Sequence, residues 1–477
     1  MVFSTIVFLC MFLPITIILY YVMPKALKNY FLLAASLFFY AWGEPKYLLV
    51  MLFSIFCNYL FGIWLFRLGS RHMPPGMDAG MAENAGTDRR RKKARLVVTL
   101  AVIVNIGILF VFKYMTFAME NLQKLIPSLP VWQIALPIGI SFYTFQGLSY
   151  VIDVYRDGGK SVQKNPCKLA LYISMFPQLI AGPIVRYKDI ALQLDTRTHS
   201  AEKFADGVTR FVTGLAKKAI LANMTGALAD SIMQGDFSVM SASVAWLGAI
   251  AYTLQIYLDF SGYSDMAIGL GWMFGFHFKE NFNYPYSSTS IREFWRRWHI
   301  SLGTWFREYV YIPLGGNRKG VKRQIINLLI VWALTGLWHG ASWNFVIWGL
   351  YYGILLIFEK FVYVHLQKRL PKFLNVVITF IVVIIGWVFF FSNNMTEAVS
   401  YLKAMFGQSG CSHDGMGGFL LLNNLVMIIL AWIPSVFDFK EGKKKSPLKW
   451  VLCIMVFLIT IAFLVSESYN PFLYFRF

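Results

Sequence analysis

Residues 373–391, FLNVVITFIVVIIGWVFFF, carry no charged side chain. A helix of about 20 such residues crosses a hydrocarbon core of roughly 30 Å, and inside lipid a helix satisfies its own backbone. Similar runs begin near Phe3, Lys46, Leu96, Ala135, Ala242, Ile325, Asn344, Gly418 and Trp450, with shorter apolar pieces near Phe31 and Leu169. The pattern predicts an all-α polytopic membrane protein with about ten transmembrane helices. With 57% of its 477 residues hydrophobic and 14% charged, the chain leaves no stretch for a sizeable soluble domain, so 1–477 reads as a single membrane-embedded domain. The first run lacks a basic leader and a cleavage site, and reads as a retained span. No repeat of fixed period is visible, which speaks against a repeat-built transporter or a solenoid.

The net charge of +20 does not argue for nucleic acid. In a membrane protein Lys and Arg accumulate in cytoplasmic loops, and that bias gives orientation. The basic segment 67–95, with DRRRKKAR, follows three predicted spans, which puts the N-terminus outside. The same count puts HLQKRLPK (365–372) and KEGKKKSPLK (440–449) inside and the C-terminus outside. Residues 73–87, rich in Gly, Pro and Ala, are expected to be disordered. Cys10, Cys57, Cys167, Cys411 and Cys453 are scattered singly, so neither a disulfide framework nor a metal site is predicted.

Polar residues interrupt the apolar pattern from 257 to 349, the predicted catalytic core. In QIYLDFSGYSDMAIGLGWMFGF, Asp259, Ser261, Tyr263, Ser264 and Asp265 fall at membrane depth, where an acid faces a cavity or a partner group. In the segment from Asn283 to Gly320, Arg292, Arg296, Arg297, Arg307 and Arg318 alternate with Trp295, Trp298 and Trp305. One helix from Ile291 to about Arg307 is expected there, interfacial or re-entrant, with tryptophans at the headgroup boundary and arginines toward water. The third piece, GLWHGASWNFVIWG, encloses His339 among tryptophans and small residues. An ionisable group at that depth is a functional candidate by default, and imidazole suits proton transfer near neutrality; a structural histidine bonded to a backbone carbonyl is the alternative. Gly336, Gly340, Ala341 and Ser342 fit close helix packing or the approach of a slender substrate equally.

Other polar positions have plainer readings. Pro137, Gly139, Ser141, Tyr143 and Gln146 interrupt a span, where Pro137 is expected to kink the helix. Asp153 and Arg156 are spaced to pair on one helix face. His72, His199, His277, His365 and His413 are expected in solvated or interfacial positions.

The segments FWRRWHISLGTWFREYVYIPLGG and LTGLWHGASWNFVIWG together resemble the membrane-bound O-acyltransferase family. FPQLIAGPIVRY (176–187) and the ending NPFLYFRF (470–477) are similar to its bacterial polysaccharide-acetylating branch. The resemblance implies re-entrant or interfacial helices around a central funnel and tunnel, in a bacterial inner membrane. It implies transfer of an acyl group, acetyl foremost, from a cytoplasmic thioester to a hydroxyl at the other face. His339 corresponds to the family's catalytic histidine. His299 corresponds to a second motif position that varies among histidine, asparagine and aspartate.

His339 would act as general base; His299, Asn344 or a backbone N–H would orient the donor or stabilise developing charge. The donor would be acetyl-coenzyme A or an acyl carrier protein thioester, with no permanently bound cofactor. Its phosphates would meet Arg296, Arg297, Arg307 and Arg318, with Arg292, Lys319, Lys322 and Arg323 beside them, although the cytoplasmic bias of basic residues explains this cluster as well. The acceptor would be an exopolysaccharide such as alginate, or the cell wall. An extracytoplasmic hydrolase-like acetyltransferase of the SGNH type, with a Gly-Asp-Ser nucleophile, would be the partner. A related branch moves D-alanine onto teichoic acid from a carrier protein. Outside the family, a transporter or flippase built on Asp259 and Asp265, or a scaffold that docks a secreted enzyme, are the rival readings.

Overall fold

The computed structural model describes residues 1–69, 85–410, 415–436, 447–467 and Leu473. The expected disordered stretch 73–87 lies outside them apart from its last three positions, as do His72, His413, most of 440–449 and all of the 470–477 ending except Leu473. Every element among the described residues is helical. Among the described residues six helices are long and apolar enough to cross a membrane: Leu48–Gly69, Arg89–Gln123, Trp343–Gln367, Lys372–Phe391, Met416–Val436 and Pro447–Ser466; Phe8–Val22 is a shorter apolar helix. Helices also form near the predicted starts at Ala135, Ala242 and Ile325: Ile140–Arg156, of 17 residues, is shorter than these six, and Ala242–Met273 and Val321–His339 are interrupted by polar and charged residues. The basic residues 89–95 prove to be the opening turns of a helix, Ala85–Leu109, rather than loop. Lys and Arg are good helix formers, and their long stems let the helix run on past the lipid.

The described residues fall into two compact units. The first comprises Met1–Val2, Val7–Phe204 and Gly271–Phe278. At its centre is Ile140–Arg156, whose residues from Ile140 to Val151 are all buried. Gly62 and Gly147 let it close on Leu48–Gly69: a Cβ at Gly62 would meet the Tyr150 hydroxyl at 2.6 Å, and one at Gly147 the Asn58 amide at 2.5 Å. Asn58 and Asn105 then exchange two amide hydrogen bonds of 3.0 Å, both side chains buried, joining Leu48–Gly69 to Ala85–Leu109. Such interhelical amide bonds are worth roughly 0.6–2 kcal/mol in a membrane. Pro137 kinks no helix. It precedes Ile140–Arg156, which starts after Gly139 in the left-handed region (φ +75°) with its Cα against the Leu179 carbonyl. Asp153 and Arg156 pair at 3.7 Å, as their spacing predicts.

The second unit comprises Phe3–Ile6, Ala205–Leu270 and Lys279–Phe477. Two glycine pairs set its geometry. Gly207 and Gly214 on Ala201–Ala216 face Gly269 and Gly262 on Ala242–Met273, with the added Cβ of Gly262 only 2.7 Å from the Gly214 carbonyl oxygen. This near contact of backbones brings Arg210 and Lys217 onto Asp265, at 2.6 and 2.7 Å, and Lys218 onto Asp259 at 3.1 Å. Arg210 also holds Glu280, at 2.6 Å. Both acids expected at membrane depth therefore face partner groups rather than an open path, and Asp259 additionally accepts the Leu473 backbone N–H at 2.9 Å. Buried charges need such partners, because an unpaired one costs several kcal/mol. Val321–His339 and Trp343–Phe358 form a tight antiparallel pair, Gly336 against the Phe345 carbonyl and Gly349 against that of Trp332.

Candidate functional site

The site grows from a break in a helix. The single helix expected from Ile291 to Arg307 is two, Ile291–Arg297 and Ile300–Phe306, followed by a π-helical turn, Arg307–Tyr311. Between them His299 adopts a left-handed backbone, φ 44° and ψ 52°. Such a conformation is uncommon for a residue with a Cβ, and histidine is one of the types that tolerate it best. An extended neighbour holds the break open: Asn283 N–H donates to Arg297 O at 2.8 Å, and Ile300 N–H to Asn281 O at 2.9 Å. From the other end, the buried Glu359 carboxylate accepts the Ile291 N–H at 2.6 Å, satisfying one of the orphan donors at that helix start. Glu359 opens a second π-helical turn, Glu359–Tyr363, within an otherwise apolar span.

The same break turns the tryptophans inward, correcting the expectation that they lie at the headgroup boundary. Trp298 is buried, packing at 4.8 Å on Trp387, and Trp295 packs at 4.7 to 5.6 Å on Trp332, Tyr352 and Trp348. Burial of a large aromatic surface is favourable, and edge-to-face pairs add to that gain. The arginines do point outward: Arg292, Arg296, Arg307 and Arg318 are exposed, as are Lys319, Lys322 and Arg323. Arg297 is the exception, drawn into an ion pair with Glu293 at 2.6 Å and a hydrogen bond to Ser287 at 3.0 Å.

His299 itself is 1% exposed. Its Nδ1 lies 3.2 Å from Asn281 Oδ1, an oxygen that also accepts the Ser301 N–H (3.2 Å) and the Ser301 hydroxyl (2.8 Å), while Asn281 Nδ2 donates to Ser264 Oγ at 3.1 Å. A backbone N–H can only donate, so this amide oxygen is the acceptor and His299 Nδ1 carries the hydrogen. Nε2 then holds the lone pair, and it has no hydrogen-bond partner among the described residues. Burial pushes the imidazole down from its ordinary 6.5 to about 3, so the ring is neutral.

Residue His339 ends the helix Val321–His339 and is 8% exposed. Its ring packs on Trp338 (5.0 Å), Trp348 (5.0 Å) and Phe390 (5.3 Å). Trp338 also meets the His299 ring, at 5.8 Å. The fold thus brings the two histidines to one indole, each in an aromatic, water-poor enclosure that keeps bulk water away from the ring. Asn344 is otherwise engaged, its Nδ2 donating to Ser392 O at 2.6 Å, and Gly336 and Gly340 serve helix packing against Phe345. Two residues absent from the sequence reading, Asn281 and Glu359, support the site. Glu359 could have been noticed as an acid closing an apolar run; Asn281 has no sequence signal. Among the described residues no cluster of His, Cys, Asp or Glu could hold a metal ion.

The model of MBOAT, the membrane-bound O-acyltransferase family, matches residues 3–398. The chain is 45% identical over 413 residues to the probable alginate O-acetylase of Pseudomonas aeruginosa, covering 85% of this chain and 75% of that protein. With the probable alginate O-acetylase of Pseudomonas putida it shares 38% over 509 residues, covering all of both. With the peptidoglycan O-acetyltransferase of Helicobacter pylori it shares 32% over 538 residues, covering 100% of this chain and 98% of that protein.

Proposed function

This chain belongs to the membrane-bound O-acyltransferase family, and we propose that it moves an acetyl group from a cytoplasmic thioester, across the membrane, to a hydroxyl of an extracytoplasmic polysaccharide. The observation that carries this reading is the pair of buried histidines meeting at Trp338, one of them with an unpartnered basic nitrogen. His339 takes the proton of the acceptor hydroxyl as its oxygen attacks the thioester carbonyl. The tetrahedral intermediate collapses, the C–S bond breaks, and the departing thiolate recovers the proton from His339. No acyl-enzyme is required. His299, a hydrogen-bond acceptor at Nε2, orients the hydroxyl; an acceptor nitrogen suits that task better than stabilising an oxyanion, which needs a donor.

Arg296, Arg307 and Arg318 attract the phosphates of the donor, coenzyme A or the phosphopantetheine arm of a carrier protein, while Arg297 is held by Glu293. The names of the relatives support acetyl as the group and a glycan, alginate or peptidoglycan, as the acceptor. An extracytoplasmic SGNH-type partner completes the relay in this reading, at a bacterial inner membrane with both termini outside. The interior ion pairs of Asp259 and Asp265 remove the main support for a transporter.

The deciding experiment compares the O-acetyl content of exported polysaccharide and cell wall between cells with the native chain and with His339→Ala at matched membrane abundance. Loss of acetyl groups with the polymers intact is the expected result. Unchanged acetylation with loss of D-alanine esters would transfer the reading to the teichoic-acid branch, and survival of both modifications would overturn acyl transfer through His339.

A further inference from the structure

Lys28, Arg197 and His199 meet in the first unit on a tyrosine that none of the chemistry above uses, with Lys203 beside them. Tyr20, buried at the end of the Leu13–Val22 helix, receives the Arg197 Nε–H at 2.9 Å, lies 2.9 Å from His199 Nε2, and donates to Phe274 O at 3.0 Å. Lys28 sits above both tyrosine rings, its Nζ 4.7 Å from the centre of Tyr20 and 5.0 Å from that of Tyr21. The Arg197 guanidinium stacks on Phe276 at 4.5 Å, with one amino group pinned to Asn29 Oδ1 at 2.6 Å. Lys203 flanks the same loop through Thr198 Oγ1, at 3.0 Å.

All four side chains are half-buried, and none forms an ion pair among the described residues. The ion-paired acids of this unit hold other cations: Asp153 holds Arg156 and Lys188, Asp189 holds Arg186, and Asp195 holds Lys168. Burial first, then the adjacent Lys28, Arg197 and Lys203, hold the His199 imidazole below its ordinary range. A protein that packs cations against one another without an acid has left the counter-charge to a ligand, and aromatic walls of this kind line sites at the membrane interface.

We propose that Lys28, Arg197, His199 and Lys203 form a binding site for a phosphate group. By the bias of basic residues this site lies on the cytoplasmic face, in reach of two phosphate sources, the headgroup of an anionic phospholipid and the phosphates of a soluble thioester donor. Arg197 and Lys28 make the charge-assisted contacts, and the Tyr20 hydroxyl fixes the guanidinium in place.

The test uses the full chain purified in detergent, with two probes. Coenzyme A is titrated directly, and the shift in thermal midpoint is measured between nanodiscs of phosphatidylcholine and of phosphatidylcholine with phosphatidylglycerol. Each measurement is repeated on Lys28→Gln, Lys203→Gln and Arg197→Gln. Lys203→Gln leaves the Tyr20 hydrogen bonds intact and guards against a folding defect in Arg197→Gln. Loss of a charge-assisted contact is expected to weaken the affected probe roughly tenfold, or to remove most of the lipid-induced shift. A change confined to the phosphatidylglycerol arm assigns a lipid headgroup, and one confined to coenzyme A assigns the donor; changes in both assign a shared phosphate site. The proposal is overturned if neither probe acts on the native chain, or if all three variants respond as the native chain does. The lipid arm contains no donor, so its outcome stands apart from the acyl-transfer reading.

Discussion

At the scale of single residues, the most informative atom is Asn281 Oδ1. By accepting from Ser301, it compels His299 to donate from Nδ1 and leaves Nε2 basic. Asn281→Ala should therefore lower kcat strongly by freeing the ring, with the protein still folded. Asn281→Asp should restore much of the rate while changing its pH dependence. A carboxylate beside an imidazole favours the charged form, raising its pKa by roughly one pH unit or more. Below that raised value the ring is protonated and Nε2 cannot accept, so the activity of Asn281→Asp should fall as pH drops, at a higher pH than in the native chain. A pH–rate profile checks this; identical profiles would show that Asn281 does nothing for His299. The two histidine segments stand out in the sequence because an ionisable residue inside an apolar run is conspicuous. Asn281 does not, because its importance lies in a contact across 18 residues of chain that no periodicity signals.

At the scale of elements, helices were legible wherever apolar residues ran on without interruption. The break at His299 was not, since Ile291 to Arg307 reads locally as one amphipathic helix. What divides it is tertiary: Asn281 and Asn283 bond the backbone at the break, and Glu359 receives the first helix from another element. The glycine contacts between Ala201–Ala216 and Ala242–Met273 make a sharper prediction. Gly262→Leu must push the Gly214 carbonyl away and with it Lys217 from Asp265, costing about 1–3 kcal/mol from overpacking alone. Its thermal midpoint in detergent should drop by several degrees. Gly107→Ala, at a helix position where an added Cβ meets nothing within 4 Å, should be neutral or slightly stabilising. Equal effects from the two substitutions would contradict the packing described.

At the scale of the whole molecule, the basic segments predict sidedness. In a cysteine-free background, Gln408→Cys and Arg369→Cys place exposed thiols at opposite ends of the Lys372–Phe391 span. A membrane-impermeant maleimide added to intact cells, with the outer membrane permeabilised where there is one, should label Gln408→Cys and spare Arg369→Cys; the reverse pattern would invert the orientation. The reaction proposed above needs that sidedness, since it draws donor and acceptor from different compartments. The left-handed backbone at His299 has a bearing on descent as well. Histidine, asparagine and aspartate are the side chains that best tolerate such a φ, and their codons are linked by a single first-base change. A lineage can therefore exchange imidazole for amide or carboxylate here in one mutational step without ever refolding the turn, and the chemistry at this position can drift while its geometry is inherited.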